Sequence, residues 1–260
     1  KALQTGGSKM FIEVGKKIKV SDLLQGIITS SGNDASVALS EHISGDEETF
    51  SIYMNQVAAN MGLKNTNYVN STGLPNDKLY TSAEDIAVLS RNLIRDFPKM
   101  YKLYSRTEYV FNDIKQYSRN KLLYVDDSVD GIKTGFTKKA GYCLVSSAKR
   151  GNRRLIAVVM GAKSPDQRTT VSKSLLEYGF RFYETHKIYE IEDIVTKARI
   201  FDGEKREIEL GVSESAYISI PRRSIKKIKS RFVVDENLTA PIQKGENVGY
   251  ISVELADKVI

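Results

Sequence analysis

The spacing of apolar residues along the chain changes twice. Before residue 100, apolar positions recur every three or four residues, which is typical of amphipathic helices. This spacing predicts four helices, over residues 20–29, 34–43, 47–63 and 81–95. Ser21 is expected to mark the entry to the first helix. The fourth is expected to begin with a capping box, in which Thr81 and Glu84 accept hydrogen bonds from free backbone N–H groups of the first turn.

From residue 109 onward the spacing of apolar residues shortens to that typical of strands, in which apolar and polar residues alternate. The alternation predicts a strand over 131–137 and a hairpin formed by 141–148 and 154–161. Ser164, followed by Pro165, then predicts a helix start, and the helix should continue to Phe182. Its apolar positions are Val171, Leu175, Leu176, Tyr178 and Phe182. A long helix after an antiparallel hairpin indicates a helix lying across a sheet.

The helical pattern ends near Glu184. Short alternating segments follow, separated by turn residues, at 188–191, 198–201, 207–211, 216–220, 231–234 and 248–255. Such spacing is typical of a small all-β sandwich. We therefore predict a two-domain α+β protein. Residues 1–184 should form helices packed on an antiparallel sheet, and residues 185–260 a β-sandwich domain.

Composition excludes several classes of protein. The single Cys (Cys143) cannot form an internal disulfide, and the two His residues are too few for a His-rich zinc site. The longest apolar run, residues 155–162, is far shorter than the ~20 residues of a membrane span. No metal or cofactor is predicted.

The chain has a net charge of +7, and the whole excess lies before Thr185. A field of this size suits a small anionic ligand better than a nucleic acid, so no nucleic-acid partner is predicted. The basic run 222–231 contains no aromatic residue that could stack on bases. We interpret this run as a solvated face.

Two short motifs could carry chemistry. In Ser31-Gly32-Asn33, the glycine could turn the backbone so that both polar side chains face one cavity, although the motif also suits an ordinary turn between helices. In Lys133-Thr134-Gly135, the glycine would let a substrate backbone lie close to an edge strand. The alternative is a solvated lysine that guards the edge against strand pairing.

Arg168 follows the start of the last predicted helix. Most arginines are exposed, and a surface side chain is the simpler interpretation. The alternative is a guanidinium that holds a carboxylate through two hydrogen bonds.

The order of these motifs indicates a family. An S-x-N motif, a K-T-G strand about a hundred residues later, a hairpin and a helix form the downstream half of the motif set of penicillin-recognising serine enzymes. The chain closely resembles the low-molecular-mass penicillin-binding proteins that act as D-alanyl-D-alanine carboxypeptidases. The resemblance runs through residues 25–27, 31–35, 62–66, 72–74, 129–135, 140–142, 178–182, 220–222 and 240–244.

The resemblance implies a serine peptidase that forms an acyl-enzyme. The nucleophilic serine belongs to an S-x-x-K motif upstream of S-x-N, so we expect it ahead of Lys1. The formal matches at 118–121, 146–149 and 224–227 lie in the wrong order or element, and we reject them.

The resemblance also implies a role for each site residue. The expected catalytic residues are Ser31, Asn33 and Lys133, and the expected substrate-binding residues are Thr134, Gly135, Phe136 and Arg168. Ser31 would relay the proton to the leaving amine while Lys133 holds its hydroxyl, and Asn33 would orient the substrate amide. Thr134 and Arg168 would bind the terminal carboxylate, and the backbone N–H of Phe136 would help to form the oxyanion hole.

The implied substrate is a peptidoglycan stem peptide ending in D-Ala-D-Ala, and β-lactams should acylate the enzyme. We expect it in the periplasm or on the extracytoplasmic face of the cell membrane. Membrane contact is expected only through the family's C-terminal anchor, which would follow Ile260. Two alternatives remain: a β-lactamase of the same fold, and a non-catalytic peptidoglycan-binding protein.

Overall fold

A computed structural model describes residues 1–191 and 193–260 of the chain. The chain forms two compact units, Lys1–Glu177 and Tyr178–Ile260. Each is described by itself below, as unit 1 and unit 2. The division falls within the last helix of the chain.

Unit 1 begins with helices, as the apolar spacing predicts. The helices of the chain are α1 (Val20–Ser30), α2 (Asn33–Ser44), α3 (Glu47–Asn60), α4 (Ala83–Asp96), the short α5 (Pro98–Tyr101) and α6 (Pro165–Phe182). A core cluster of Met10, Ile12, Leu23 and Ala35 packs α1 and α2 against the preceding loop. This packing fixes the short turn between the two helices.

Two predicted helix caps are wrong. Helix α1 begins at Val20 as predicted, but its N-cap is Lys19, which makes no side-chain capping bond, and not Ser21. Helix α4 is capped by Ser82, whose hydroxyl accepts a hydrogen bond from the Asp85 N–H at 3.1 Å. The expected box between Thr81 and Glu84 is therefore displaced by one residue, because Ser82 also has the extended backbone that an N-cap needs.

A three-stranded antiparallel sheet follows the helices. Its strands β3 (Val129–Thr137), β4 (Gly141–Arg150) and β5 (Arg153–Ala162) lie in the order β3-β4-β5. The K-T-G motif is therefore on a strand that lies at one edge of this sheet. Lys133 pairs with Val145 and Gly135 with Cys143.

The start of α6 matches the prediction, but of its predicted apolar positions only Leu176 is buried. The Ser164 hydroxyl accepts a hydrogen bond from the Gln167 N–H at 3.0 Å. The buried positions Arg168, Ser172 and Leu176 recur every four residues. Val171, Leu175, Tyr178 and Phe182 are exposed. The buried face of this helix thus begins with a polar residue, Arg168.

A two-stranded hairpin of unit 1 is absent from the prediction. Strands β1 (Glu108–Phe111) and β2 (Ile114–Tyr117) form a hairpin around Asn112 and Asp113, which both have positive φ. Asn and Asp are the residues that tolerate this conformation best after glycine.

Unit 2 is built of β-strands. They are β6 (Tyr183–Tyr189), β7 (Ile194–Arg199), β8 (Glu207–Gly211), β9 (Ala216–Pro221), β10 (Ile228–Val234), β11 (Gly249–Leu255) and β12 (Lys258–Val259). Strand β6 pairs with β9, β7 with β8, and β11 with both β10 and β12. The strand predicted at 188–191 corresponds to β6, but its predicted bounds are wrong, since β6 begins at Tyr183 directly after α6 and ends at Tyr189.

No helix in the described part of the chain is both long enough and apolar enough to cross a membrane.

Candidate active site

Ser31 lies in the turn between α1 and α2. It is the C-cap of α1 and has a left-handed backbone, with φ 57° and ψ 43°. Gly32 has an ordinary φ of −62°, so the expected turning role of the glycine is wrong. Glycine is needed for space instead, because a Cβ at this position would lie 2.9 Å from the Met10 Cβ.

Asn33 is the first residue of α2, and its hydrogen bonds go to the preceding loop. The backbone N–H donates to the Ser8 carbonyl and the side-chain amide to the Gly6 carbonyl, each at 2.8 Å. The carboxamide therefore lies against the loop that begins at Gly6. None of its described hydrogen bonds reaches Lys133.

Asp34 also holds this loop, and it is absent from the residues predicted from the sequence. Its buried carboxylate accepts hydrogen bonds from three successive backbone N–H groups, those of Met10, Phe11 and Ile12, at 2.7, 2.8 and 3.2 Å. Convergent N–H groups of this kind form an anion-binding concavity. An acidic residue in the first turn of α2, directly after the S-x-N motif, was the available signal.

Lys133 and Ser31 meet across the site. The Lys133 Nζ donates to the Ser31 hydroxyl and, at 3.1 Å, to the Thr134 carbonyl. Burial, together with the positive charges of Arg119 and Arg168, lowers the pKa of Lys133 to about 8. Two residues that are 102 positions apart in the sequence therefore share one hydrogen bond.

Arg168 reaches the K-T-G strand from α6. Its Nη1 donates to the Gly135 and Cys143 carbonyls at 3.2 and 3.3 Å, and its Nη2 to the Arg119 carbonyl at 3.5 Å. The residue is only 6% exposed, and burial lowers the pKa of its guanidinium. Among the ion pairs of the described residues, none includes Arg168 or Lys133. The site thus holds two desolvated cations beside a hydroxyl.

Thr134 and Phe136 lie on the other face of β3 from Lys133, by strand alternation. Thr134 is half-buried and Phe136 is exposed. The Phe136 ring stacks on Tyr142 with centroids 4.3 Å apart, and the Arg168 guanidinium lies over the Tyr142 ring at 5.6 Å. Because β3 is an edge strand, side chains on both of its faces can border one groove.

A polar network that was not predicted from the sequence holds the start of β3. Asp130 accepts two hydrogen bonds from Arg154, each at 2.7 Å, and one from the Tyr101 hydroxyl at 3.0 Å. The Asn120 amide donates to the Gly131 carbonyl at 3.1 Å. A bidentate arginine–carboxylate pair restricts geometry strongly, so this network positions the strand that carries Lys133.

The serines of the formal S-x-x-K matches take no part in the described hydrogen bonds of Lys133 and Arg168. Ser146 is fully buried in β4, and its hydroxyl donates to the Ala157 carbonyl. Ser118 follows β2 and Ser224 lies in unit 2.

Two family models match the chain. Residues 1–164 match the model described as D-alanyl-D-alanine carboxypeptidase, and residues 183–260 match the model described as penicillin-binding protein 5, C-terminal domain. The chain belongs to the D-alanyl-D-alanine carboxypeptidase family of serine peptidases.

Similar proteins agree with this assignment. D-alanyl-D-alanine carboxypeptidase DacA from Haemophilus influenzae is 43% identical over 97% of this chain and 65% of its own length. DacF from Bacillus subtilis is 38% identical over 100% of the chain and 68% of its own length. The chain thus spans about two thirds of the length of these relatives.

Solved structures support the fold. Penicillin-binding protein 5 from Haemophilus influenzae superposes with a TM-score of 0.90 at 42% identity, covering 98% of this chain and 75% of that one. Penicillin-binding protein D2 from Listeria monocytogenes, solved in an ampicillin-bound form, gives 0.63 at 31% identity, covering 68% of this chain and 74% of that one.

Proposed function

We propose that the protein is a serine-type D-alanyl-D-alanine carboxypeptidase that removes the terminal D-alanine from peptidoglycan stem peptides. The observation that carries the proposal is the meeting of Ser31, Lys133 and the buried Arg168 in unit 1. A buried cation without an anionic partner is costly in the free protein. A substrate carboxylate would supply that partner.

Arg168 and Thr134 would bind the carboxylate of the terminal D-alanine. A guanidinium can donate two parallel hydrogen bonds to a carboxylate, and the Thr134 hydroxyl can donate a third. The backbone carbonyls of Gly135 and Cys143 hold Arg168 in place. Such a site would accept a chain end and reject an internal peptide bond, which is the selectivity of a carboxypeptidase.

The serine of an S-x-x-K motif, which the resemblance puts ahead of Ser31 in the chain, would attack the carbonyl carbon of the penultimate D-alanine. A neighbouring lysine would accept the proton of that serine. Ser31, held by Lys133, would relay a proton to the leaving nitrogen as its bond to the carbonyl carbon breaks and D-alanine departs. Water would then hydrolyse the ester.

Backbone and amide donors would support this chemistry. The N–H of Phe136, together with the N–H of the nucleophile, would stabilise the oxyanion, and one such donor is typically worth about 2.7–4 kcal/mol. The Asn33 carboxamide would leave the Gly6 carbonyl and orient the substrate amide.

β-Lactams would acylate the same serine, because they present a carboxylate and a reactive carbonyl in a similar arrangement. The ampicillin-bound form of the Listeria relative supports this part of the proposal. We propose that the protein acts in the periplasm or on the extracytoplasmic face of the membrane, where stem peptides are found.

The test uses a chain that includes the S-x-x-K segment, incubated with labelled penicillin and, separately, with a D-Ala-D-Ala peptide. A covalent penicillin adduct and release of D-alanine are expected. Absence of both, in folded protein, would favour the non-catalytic peptidoglycan-binding alternative. Rapid turnover of penicillin without release of D-alanine would favour the β-lactamase alternative. Lys133→Ala is expected to abolish the adduct.

A further inference from the structure

Two aromatic rings form a ledge at the end of the K-T-G strand. Phe136 and Tyr142 are cross-strand partners on β3 and β4, and their rings stack at 4.3 Å with an interplanar angle of 28°. Phe136 remains 55% exposed. An exposed phenyl ring whose plane is fixed by stacking is a preformed contact surface, because little side-chain entropy remains to be lost on binding.

The ledge adjoins the groups that we propose bind the substrate carboxylate. Thr134 and Phe136 are two positions apart on β3 and therefore lie on the same face of the strand. The Arg168 guanidinium lies over the Tyr142 ring at 5.6 Å. The guanidinium is thus bounded by aromatic surface on one side and by the Gly135 and Cys143 carbonyls on another. A carboxylate held by Arg168 would bring the α-carbon of its own residue close to the ledge.

We propose that Phe136, supported by Tyr142, is a specificity residue that contacts the side chain of the substrate's C-terminal residue. This inference rests on the proposed function. An apolar ring beside the carboxylate favours a methyl group over a hydrogen, since the methyl is removed from water on binding. The ring disfavours a charged or polar side chain, which would lose solvation there without gaining a hydrogen bond.

The test compares two peptides in a chain that includes the S-x-x-K segment. One peptide ends in D-Ala-D-Ala and the other in D-Ala-Gly, and kcat/KM is measured for each with the wild type, Phe136→Ala and Phe136→Tyr. One methyl group in an apolar pocket changes kcat/KM by roughly tenfold or more. We expect the wild type to prefer D-Ala-D-Ala by about this factor, Phe136→Ala to lose most of the preference, and Phe136→Tyr to retain it.

Phe97→Ala is the matched control, since this phenylalanine of unit 1 is 54% exposed and outside the site. It should leave unchanged the ratio of kcat/KM for the D-Ala-D-Ala peptide to kcat/KM for the D-Ala-Gly peptide. A ratio in Phe136→Ala equal to that of the wild type, with D-alanine still released, would overturn the inference and leave the proposed function intact. Absence of D-alanine release from the wild type would overturn the proposed function itself. A thermal melt of each variant separates altered selectivity from unfolding.

Discussion

At the scale of single residues, the site is defined by positive charge held away from water. Lys133 is half-buried and Arg168 is buried, and the described residues provide neither with a carboxylate. Their neighbours are a hydroxyl and backbone carbonyls. This arrangement costs stability in the free protein and favours an anionic ligand, so the charges are better explained by binding than by folding.

The lowered pKa of Lys133 predicts how acylation depends on pH. Because this pKa is about 8, the ammonium loses its proton as the pH rises through 8, and it can then no longer donate to Ser31 as a cation. We expect the rate constant for acylation by a chromogenic β-lactam to fall above pH 8, by up to roughly tenfold per pH unit. The exposed Lys163→Met variant should give the same profile as the wild type. A rate that stays flat from pH 7 to 10 would contradict this role of Lys133.

Replacement of Arg168 should reduce the turnover of a peptide substrate more than it reduces acylation by penicillin. Removing the guanidinium takes away a charge-assisted contact, worth about 1.5–3 kcal/mol, so kcat/KM for a D-Ala-D-Ala peptide should fall roughly tenfold to a hundredfold in Arg168→Ala. Acylation by penicillin should fall less, because ring strain drives that reaction. The exposed Arg91→Ala variant is the control. An unchanged kcat/KM for the peptide in folded Arg168→Ala would rule out the proposed carboxylate contact.

At the scale of elements, the Asp34 carboxylate joins α2 to the loop 6–12. It binds three backbone N–H groups, including that of Phe11, whose φ of 68° is unusual for a residue other than glycine. The same loop accepts both hydrogen bonds of Asn33. One buried side chain thus positions both the turn of the S-x-N motif and the loop beside it.

Replacement of Asp34 should therefore destabilise unit 1. In Asp34→Ala the N–H groups of Met10 and Ile12 stay buried without a partner, and each such group costs about 1–3 kcal/mol. We expect the free energy of unfolding in urea to fall by about 2–4 kcal/mol, and by less in Asp34→Asn, whose amide oxygen can still accept. The exposed Asp127→Ala should change it little. A loss below about 0.5 kcal/mol in Asp34→Ala would show that the loop does not depend on this carboxylate.

Helices and strands whose apolar residues recur at a regular spacing could be predicted from the sequence, whereas contacts between distant segments could not. The helices before residue 100 and strands β3 to β5 follow their apolar spacing. The hairpin around Asn112 was missed, because its strands are only four residues long and their apolar residues do not alternate with polar ones. The burial of Arg168 depends on β3 and β4, which lie earlier in the chain, and no pattern within α6 indicates it.

At the scale of the whole molecule, every proposed site residue lies in unit 1. The partners of Lys133 and Arg168 come from α1, β3, β4 and the segment before β3, and the Asp130 network also belongs to this unit. Unit 2 has its own paired strands. We propose that residues 1–184 form the peptidase domain and residues 185–260 a separate β domain without a chemical role.

Removal of the β domain tests this division. A chain that includes the S-x-x-K segment and ends after Glu184 keeps the whole of α6, and so keeps the helix that carries Arg168. We expect its second-order rate constant for acylation by penicillin to lie within about twofold of the longer chain, because no described hydrogen bond of Lys133 or Arg168 involves residues beyond 184. Circular dichroism and a thermal melt establish that the shorter chain is folded. A fall of tenfold or more in this rate constant, in folded protein, would mean that the β domain contributes to the chemistry. The division of roles between the two domains would then be wrong.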